Sequence, residues 1–491
     1  MHISKSGYCS AVQCPKILWL KKNKPELFDD SVLNTNTLEN GNEVGDLAMG
    51  LFGPYTEVPF GDLSRMIERT RELIDAGTPV ICEASFSYDG CFCSVDILRR
   101  KGDSYEIYEV KSSTEVKDVY LDDVSYQKYV LEKSGLEISR VYIVHINNSY
   151  VRRGELDLRK LFRTVDVTEK AAGKQKEVED RLAFLNDYLE QDNEPSAEYG
   201  EQCSSPFKCG FCGYCIGDLP SPSIFDIVGF RKKMDFFRKG ILSFEEALQT
   251  GVLKGRQLMQ VKHELNDLPD LIDRYKIWKE FLKELSYPLY FLDFETFQPA
   301  IPLFDDSRPY QQIPFMYSLH WIEFEGDELH HTVSLAYPGR DPRRSIAEDL
   351  CHDIPEGACT LAYNMGFEKG RIKELAALYP DLEEHLMDIF ENMKDLMVPF
   401  QQGWYYNRAM HGSYSIKYVL PALFPGDPEL DYHNLDGVHN GTEASETYLA
   451  MWHMPDDEIV RKCEELDRYC SLDTYAMVKV WEKLNESLTL E

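Results

Sequence analysis

The chain has 491 residues, 43% apolar and 28% charged, which describes a folded globular protein of two or three domains and excludes a disordered or membranous one. No run of roughly 18 apolar residues is present, and the opening MHISKSGYCSAVQCPK lacks the apolar core of a signal peptide, so a cytoplasmic location is expected. Thirteen cysteines, few for the length and clustered, do not resemble a secreted disulfide scaffold. The net charge of −31 requires that any contact with phosphate run through local basic stretches, such as 98–101 or 230–239, and through metal ions.

In chain order, residues 1–218 read as a mixed α/β domain bracketed by cysteines. Strand-like runs lie at 78–86, 91–101 and 104–113, a helical run at 122–135 and a buried-type strand at 141–146. A Pro/Ser-rich break at 217–227 marks a boundary. Residues 219–285 read as a helical connector, in which a helix-hairpin-helix-like DNA contact is an alternative. A second α/β pattern starts with YPLYFLDFETF and fills 286–491.

Side chains alternate along a strand, so Glu109 and Lys111 of YEVKSS share a face, with Tyr108 and Val110 on the other. Asp96 lies on the preceding strand. Two carboxylates can hold a hard divalent cation, and a lysine beside them can orient an attacking water. This succession resembles the PD-(D/E)XK nucleases, in particular their RecB-like branch with the CRISPR-associated iron–sulfur exonucleases, over roughly residues 4–216. The resemblance implies metal binding by Asp96 and Glu109, a catalytic Lys111, and a role for Gln127 in SYQKYV. That branch often carries an upstream helical histidine. Here GNEVGDLAMGLF has none, and Glu43 is the candidate in its place.

EQCSSPFKCGFCGYC brings Cys203, Cys209, Cys212 and Cys215 within thirteen residues, a density that indicates a metal or cluster site. These four alone could bind Zn²⁺. The opening VQCPKILWL resembles that of the RecB-like iron–sulfur nucleases, which implies a [4Fe–4S] cluster on Cys14, Cys203, Cys209 and Cys215, with Cys212 as the alternative ligand.

In YFLDFETF, Asp293 and Glu295 alternate and face one side, a costly arrangement unless a cation neutralises them. Downstream, Glu368 opens a helix in LAYNMGFEKGRIKELAALYP, and Tyr469 and Asp473 lie four apart on another. The three motifs resemble the DnaQ-like, DEDD-type 3′–5′ exonucleases of RNase H-like fold. In that pattern Asp293, Glu295, Glu368 and Asp473 bind a metal pair, and Tyr469 positions water. Glutamate stands at 368 where the pattern usually has aspartate. The expectation is therefore a nuclease with two sites, using Mg²⁺ or Mn²⁺ on nucleic acid. Single-stranded DNA or a DNA end is the expected substrate. An RNA-processing exonuclease, or a nucleic-acid-binding adaptor with a dormant C-terminal domain, is the alternative.

Overall fold

A computed structural model describes residues 3–32 and 35–489, and the side chains of 3–32 and 41–488. The chain is α/β and divides into two compact units. One comprises Met1–Asp218 with Pro299–Gln311, the other Leu219–Gln298 with Gln312–Glu491.

The first unit is built on a seven-stranded sheet of β1 (Ile3–Ser4), β2 (Thr56–Glu57), β3 (Val80–Tyr88), β4 (Cys91–Lys101), β5 (Ser104–Lys111), β6 (Ile138–Ile146) and β7 (Phe162–Asp166). Strands β2 to β7 lie side by side in chain order, and β1 pairs in parallel with β4. The β3–β4 turn places Asp89 (φ 46°) and Gly90 (φ 77°) in the left-handed region. An Asp-Gly pair of that kind matches the right-handed twist of the strands it joins. One face of the sheet packs Ile107, Ile143 and Leu98 against Val124 and Val130 of the Asp118–Lys133 helix. The opposite face buries Tyr108, Val110 and Val144 with Val44 and Ala48 of the Thr35–Met49 helix. A helix on each face explains why these strands are buried on both sides over most of their length.

The second unit carries a five-stranded sheet in the order β11–β10–β9–β12–β13, formed by β9 (Leu289–Phe297), β10 (Ile313–Ile322), β11 (His330–Leu335), β12 (Cys359–Ala362) and β13 (Met393–Asp395). Strand β10 runs antiparallel to β9 and β11, while β12 is parallel to β9 and β13. Tyr290, Leu292 and Phe294 of β9 bury one face with Ile346 and Leu350. Leu289 and Phe291 bury the other with Leu472, Ala476 and Val480 of the long Asp456–Thr489 helix. Asp293 and Glu295 therefore point toward that helix, by the same alternation.

The segment 219–285, expected as a purely helical connector, belongs to this second unit. It contributes a short strand, β8 (Leu271–Ile272), paired antiparallel with β14 (Tyr405–Tyr406). Arg256 donates to the carbonyls of Phe400 and Gln401 at 2.5 Å each and of Gly412 at 3.1 Å. Gln260 donates to the His411 carbonyl at 2.9 Å. Tyr405 and Tyr406, aromatics open to a base-stacking role on sequence alone, are buried in this packing with Met410. No helix of the described residues is long and apolar enough to cross a membrane.

Candidate functional sites

Strands β4 and β5 pair regularly from Lys101 and Ser104 to Ile97 and Tyr108. Beyond that point the Val110 N–H donates to the Asp96 Oδ2 carboxylate oxygen at 2.7 Å, so a side chain takes over the place of a strand partner. Asp96 sits mid-strand in β4. Glu109 is 1% exposed, a depth at which a carboxylate requires cationic partners. It has three. Lys111 Nζ lies 2.7 Å and Lys5 Nζ 2.9 Å from Glu109 Oε1, and Gln127 Nε2 donates to Oε2 at 2.6 Å. Asp123 completes the group, accepting from Lys111 at 2.6 Å and from Gln127 at 2.8 Å.

Burial would raise the Glu109 carboxyl, but Lys111 and Lys5 override it and hold it well below the carboxylate range. Burial, with the Glu109 charge next, pushes Asp96 up to about 7. For Lys111, burial opposes the charge, and Glu109 and Asp123 hold the ammonium firmly protonated. Gln127 Oε1 is buried without a hydrogen-bond partner.

The sequence reading thus finds Asp96, Glu109, Lys111 and Gln127 gathered at one point. It missed Lys5, which no local pattern marks, and Asp123, whose spacing of four from Gln127 on one helix face was legible. It also missed Glu83, held at φ 55° in the middle of β3 and raised by burial, with Lys5 and Glu109 among the charges acting on it. A non-glycine residue in that region stores about 1–3 kcal/mol of strain. Glu43 is exposed on its helix, and among the described residues no hydrogen bond or ion pair joins it to Asp96, Glu109 or Lys111.

All five cysteines considered from sequence, Cys14, Cys203, Cys209, Cys212 and Cys215, line one small cavity with Phe211 and Leu20. None is in a disulfide. Cys212 donates its thiol hydrogen to the Cys203 carbonyl at 2.9 Å, and the Phe211 N–H points at Cys209 Sγ at 3.4 Å. Burial, with neighbouring Cys203 and Cys14, raises the Cys209 thiol. Lys16 and Lys24, both bonded to Glu194 at 2.6 Å, flank this region.

In the second unit, Asp293 and Glu295 of β9, Glu368 in the first turn of the Gly366–Leu378 helix, and Tyr469 and Asp473 of the long helix converge. Burial and the charges of Asp473, Glu368 and Glu295 raise Asp293 well above its ordinary value. Burial, then Asp473, pushes Glu295 up to about 8. Burial, then Asp395, pushes Glu368 up to about 8 as well. Asp473 is lifted to about 6 by burial, which hydrogen bonds from Tyr432 and Tyr469 partly offset. Glu368 Oε2 is buried without a partner. Ligand atoms of Asp293, Glu295 and Cys470 lie within 4.8 Å of one another. A Cβ on Gly441 would stand 3.3 Å from Glu295 Oε2, so the glycine keeps this wall clear.

Three neighbours escaped the sequence reading. Tyr432 donates to Asp473 Oδ1 at 2.6 Å. Asp395 accepts the backbone N–H of Asn364 and Met397 at 2.9 Å each, fixing the loop that presents Glu368. Cys470 is the third. Asn364, at φ 69°, makes the left-handed turn from β12 into that helix, while Phe367 packs against the apolar core on the far side of β9.

Residues 290–415 match a family model described as a domain of unknown function, DUF2779. The chain is 25% identical over 220 residues to an uncharacterized protein, an MG366 homolog, of Mycoplasma pneumoniae, covering 42% of this chain and 32% of that protein. It is also 25% identical over 222 residues to the uncharacterized protein MG366 of Mycoplasma genitalium, covering 41% and 32%. The chain thus spans about a third of the length of these curated relatives. No solved structure gives a significant match.

Proposed function

We propose that this protein is a metal-dependent nuclease with two hydrolytic sites, a PD-(D/E)XK-like site in the first unit and an RNase H-like exonuclease site in the second. The observation that carries the proposal is the gathering of Asp293, Glu295, Glu368 and Asp473 from three separate elements, with Glu368 Oε2 unpartnered and no lysine or arginine paired with Asp293 or Glu295 among the described residues. Buried carboxylates raised this far are half-neutralised by protons in the absence of a cation, and a divalent ion is the partner that such a set fits. Asp293, Glu295, Glu368 and Asp473 would hold Mg²⁺ or Mn²⁺ here, and Asp96 and Glu109 would hold it in the first unit, beside Gln127, whose Nε2 donates to Glu109.

A bound ion supplies Lewis acidity toward a phosphoryl oxygen and acidifies water. The protein's own residues do the rest. Lys111, protonated and fixed between Glu109 and Asp123, orients the attacking water and faces the developing phosphate charge. Tyr469, with its hydroxyl hydrogen-bonded to Glu295 and Asp473, does the orienting in the second unit. The water oxygen bonds to phosphorus, the ester P–O bond breaks, and the leaving oxygen takes a proton.

The five cysteines, gathered around one cavity, would hold a [4Fe–4S] cluster, with a zinc ion on four of them as the alternative. The cluster would join residue 14 to residues 203–215 and restrict the unfolded chain over nearly the whole first unit. Degradation of end-labelled single-stranded DNA, duplex DNA and RNA with Mn²⁺ tests the proposal. Cleavage removed in part by Lys111→Ala and in part by Asp293→Ala supports it, and no cleavage of any substrate refutes it.

A further inference from the structure

The first site contains a cation of its own. Lys5 Nζ lies 2.9 Å from Glu109 Oε1 and 3.9 Å from both Asp96 Oδ1 and Asp123 Oδ1. This is the shared point of the three carboxylates. Among the described residues the oxygens of Asp96, Glu109 and Asp123 do not all come within 4.8 Å of one another, so the cage is spread around an ammonium rather than drawn in around an ion.

The placement of Lys5 is fixed by the backbone. Ile3 and Ser4 pair with Cys91 and Phe92 of β4, the Ile3 N–H donates to the Gly90 carbonyl at 2.9 Å, and the buried Tyr126 hydroxyl donates to the Ile3 carbonyl. Ser4 caps the Lys5–Gln13 helix by accepting the Gly7 N–H at 3.1 Å. Lys5 is then the first helical residue, where a positive charge opposes the helix dipole. Only the carboxylates opposite it compensate, and they are the ones a divalent ion would use.

On the reading of this site as a metal site, we propose that Lys5 is an internal competitor for the metal. Its ammonium occupies the cation position of the Asp96–Glu109–Asp123 cage and is displaced when a divalent ion enters. Two cations cannot share that point, so metal binding requires the Lys5 ion pairs to break. The side chain has somewhere to go. Lys5 lines an open cavity of about 890 Å³ together with Lys111, Asp123, Ser10 and Lys208. Metal affinity of this site is lowered by the exchange, and a displaced Lys5 adds positive charge to the cavity that leads to the site.

The test is Mn²⁺ binding to the full chain followed by electron paramagnetic resonance, without substrate. It is run in an Asp293→Asn/Glu295→Gln background so that the second unit does not contribute. Lys5→Gln is expected to bind Mn²⁺ at least tenfold more tightly than the same chain with Lys5. Lys5→Arg, which keeps the charge, is expected to gain nothing. Equal or weaker binding by Lys5→Gln, while Asp96→Asn loses the ion, overturns the competitor role and leaves the metal site standing. Unchanged binding in Asp96→Asn overturns the metal site itself.

Discussion

Neutralising Glu368 separates the cost of its buried charge from its service to metal. The Glu368 carboxyl is 3% exposed, has an unpartnered oxygen, and is raised by burial and by Asp395 from 4.5 to about 8. A group raised in the folded state contributes stability in full below its unfolded value, and loses that contribution as pH rises through its folded value. Here the window is pH 4.5 to 8. At about 1.36 kcal/mol per pH unit, a lone group shifted this far would cost the metal-free protein about 5 kcal/mol at the alkaline end, an upper bound for Glu368 because its charge is coupled to the other acids. Glu368→Gln does not titrate, so the variant escapes this loss. Comparing pH slopes rather than absolute midpoints cancels any fixed cost of the amide.

Five of the six tryptophans, Trp278, Trp321, Trp404, Trp452 and Trp481, lie in the second unit, so tryptophan fluorescence reports its unfolding almost alone. In EDTA, the wild-type melting temperature should fall between pH 5 and pH 8 by several °C more than that of Glu368→Gln. Saturating Mn²⁺ should remove the difference by stabilising the wild type only. Equal pH slopes for the two chains would refute the account of the acidic cluster.

Other consequences are open to direct measurement. His320, pushed down to about 3 by burial with His331 beside it, is neutral when folded and accepts at Nδ1 or donates to Thr474 Oγ1 at 2.8 Å. Its contribution is complete above about pH 6.5 and is lost as pH falls toward 3, so His320→Asn should flatten the acid limb of the same tryptophan melt. Arg256→Ala removes the guanidinium from three backbone carbonyls, of which Phe400 keeps the Gly403 N–H at 3.0 Å, and should destabilise the second unit by about 2–4 kcal/mol in urea titration; an unaffected midpoint would return residues 219–285 to the status of a connector. Cys209→Ser, purified without oxygen, should lose iron, sulfide and brown colour; one zinc per wild-type chain and no iron would replace the cluster with a zinc site.

Much of both candidate sites was legible because charge alternates with apolar residues on buried strands. Asp293 and Glu295 stand out in YFLDFETF since each interrupts a run that otherwise belongs wholly inside. Glu109 and Lys111 do the same in YEVKSS, and the cysteines announce themselves by density. The residues that escaped reach their sites by other routes. Lys5 arrives through a two-residue parallel pairing with β4, about ninety positions away, which no local pattern encodes. Glu83 sits in a strand run and differs only in its backbone angle. Tyr432 comes from a loop, and the aromatic that a sequence pattern assigns to this position is Tyr469. The segment 219–285 reads as a helical connector because helical periodicity marks an apolar face without saying what covers it; β8 and Arg256 join it to residues about 130–160 positions downstream.

Cleavage assays decide whether both acidic sites hydrolyse nucleic acid. The full chain, purified without oxygen, is given end-labelled single-stranded DNA, duplex DNA and RNA with Mn²⁺, beside Lys111→Ala, Asp293→Ala and the double variant. The account predicts chelator-reversible degradation that each single variant reduces by at least about a hundredfold on its own site's products and that the double variant lacks. Full activity in the double variant, or no metal-dependent cleavage by any form, would contradict it.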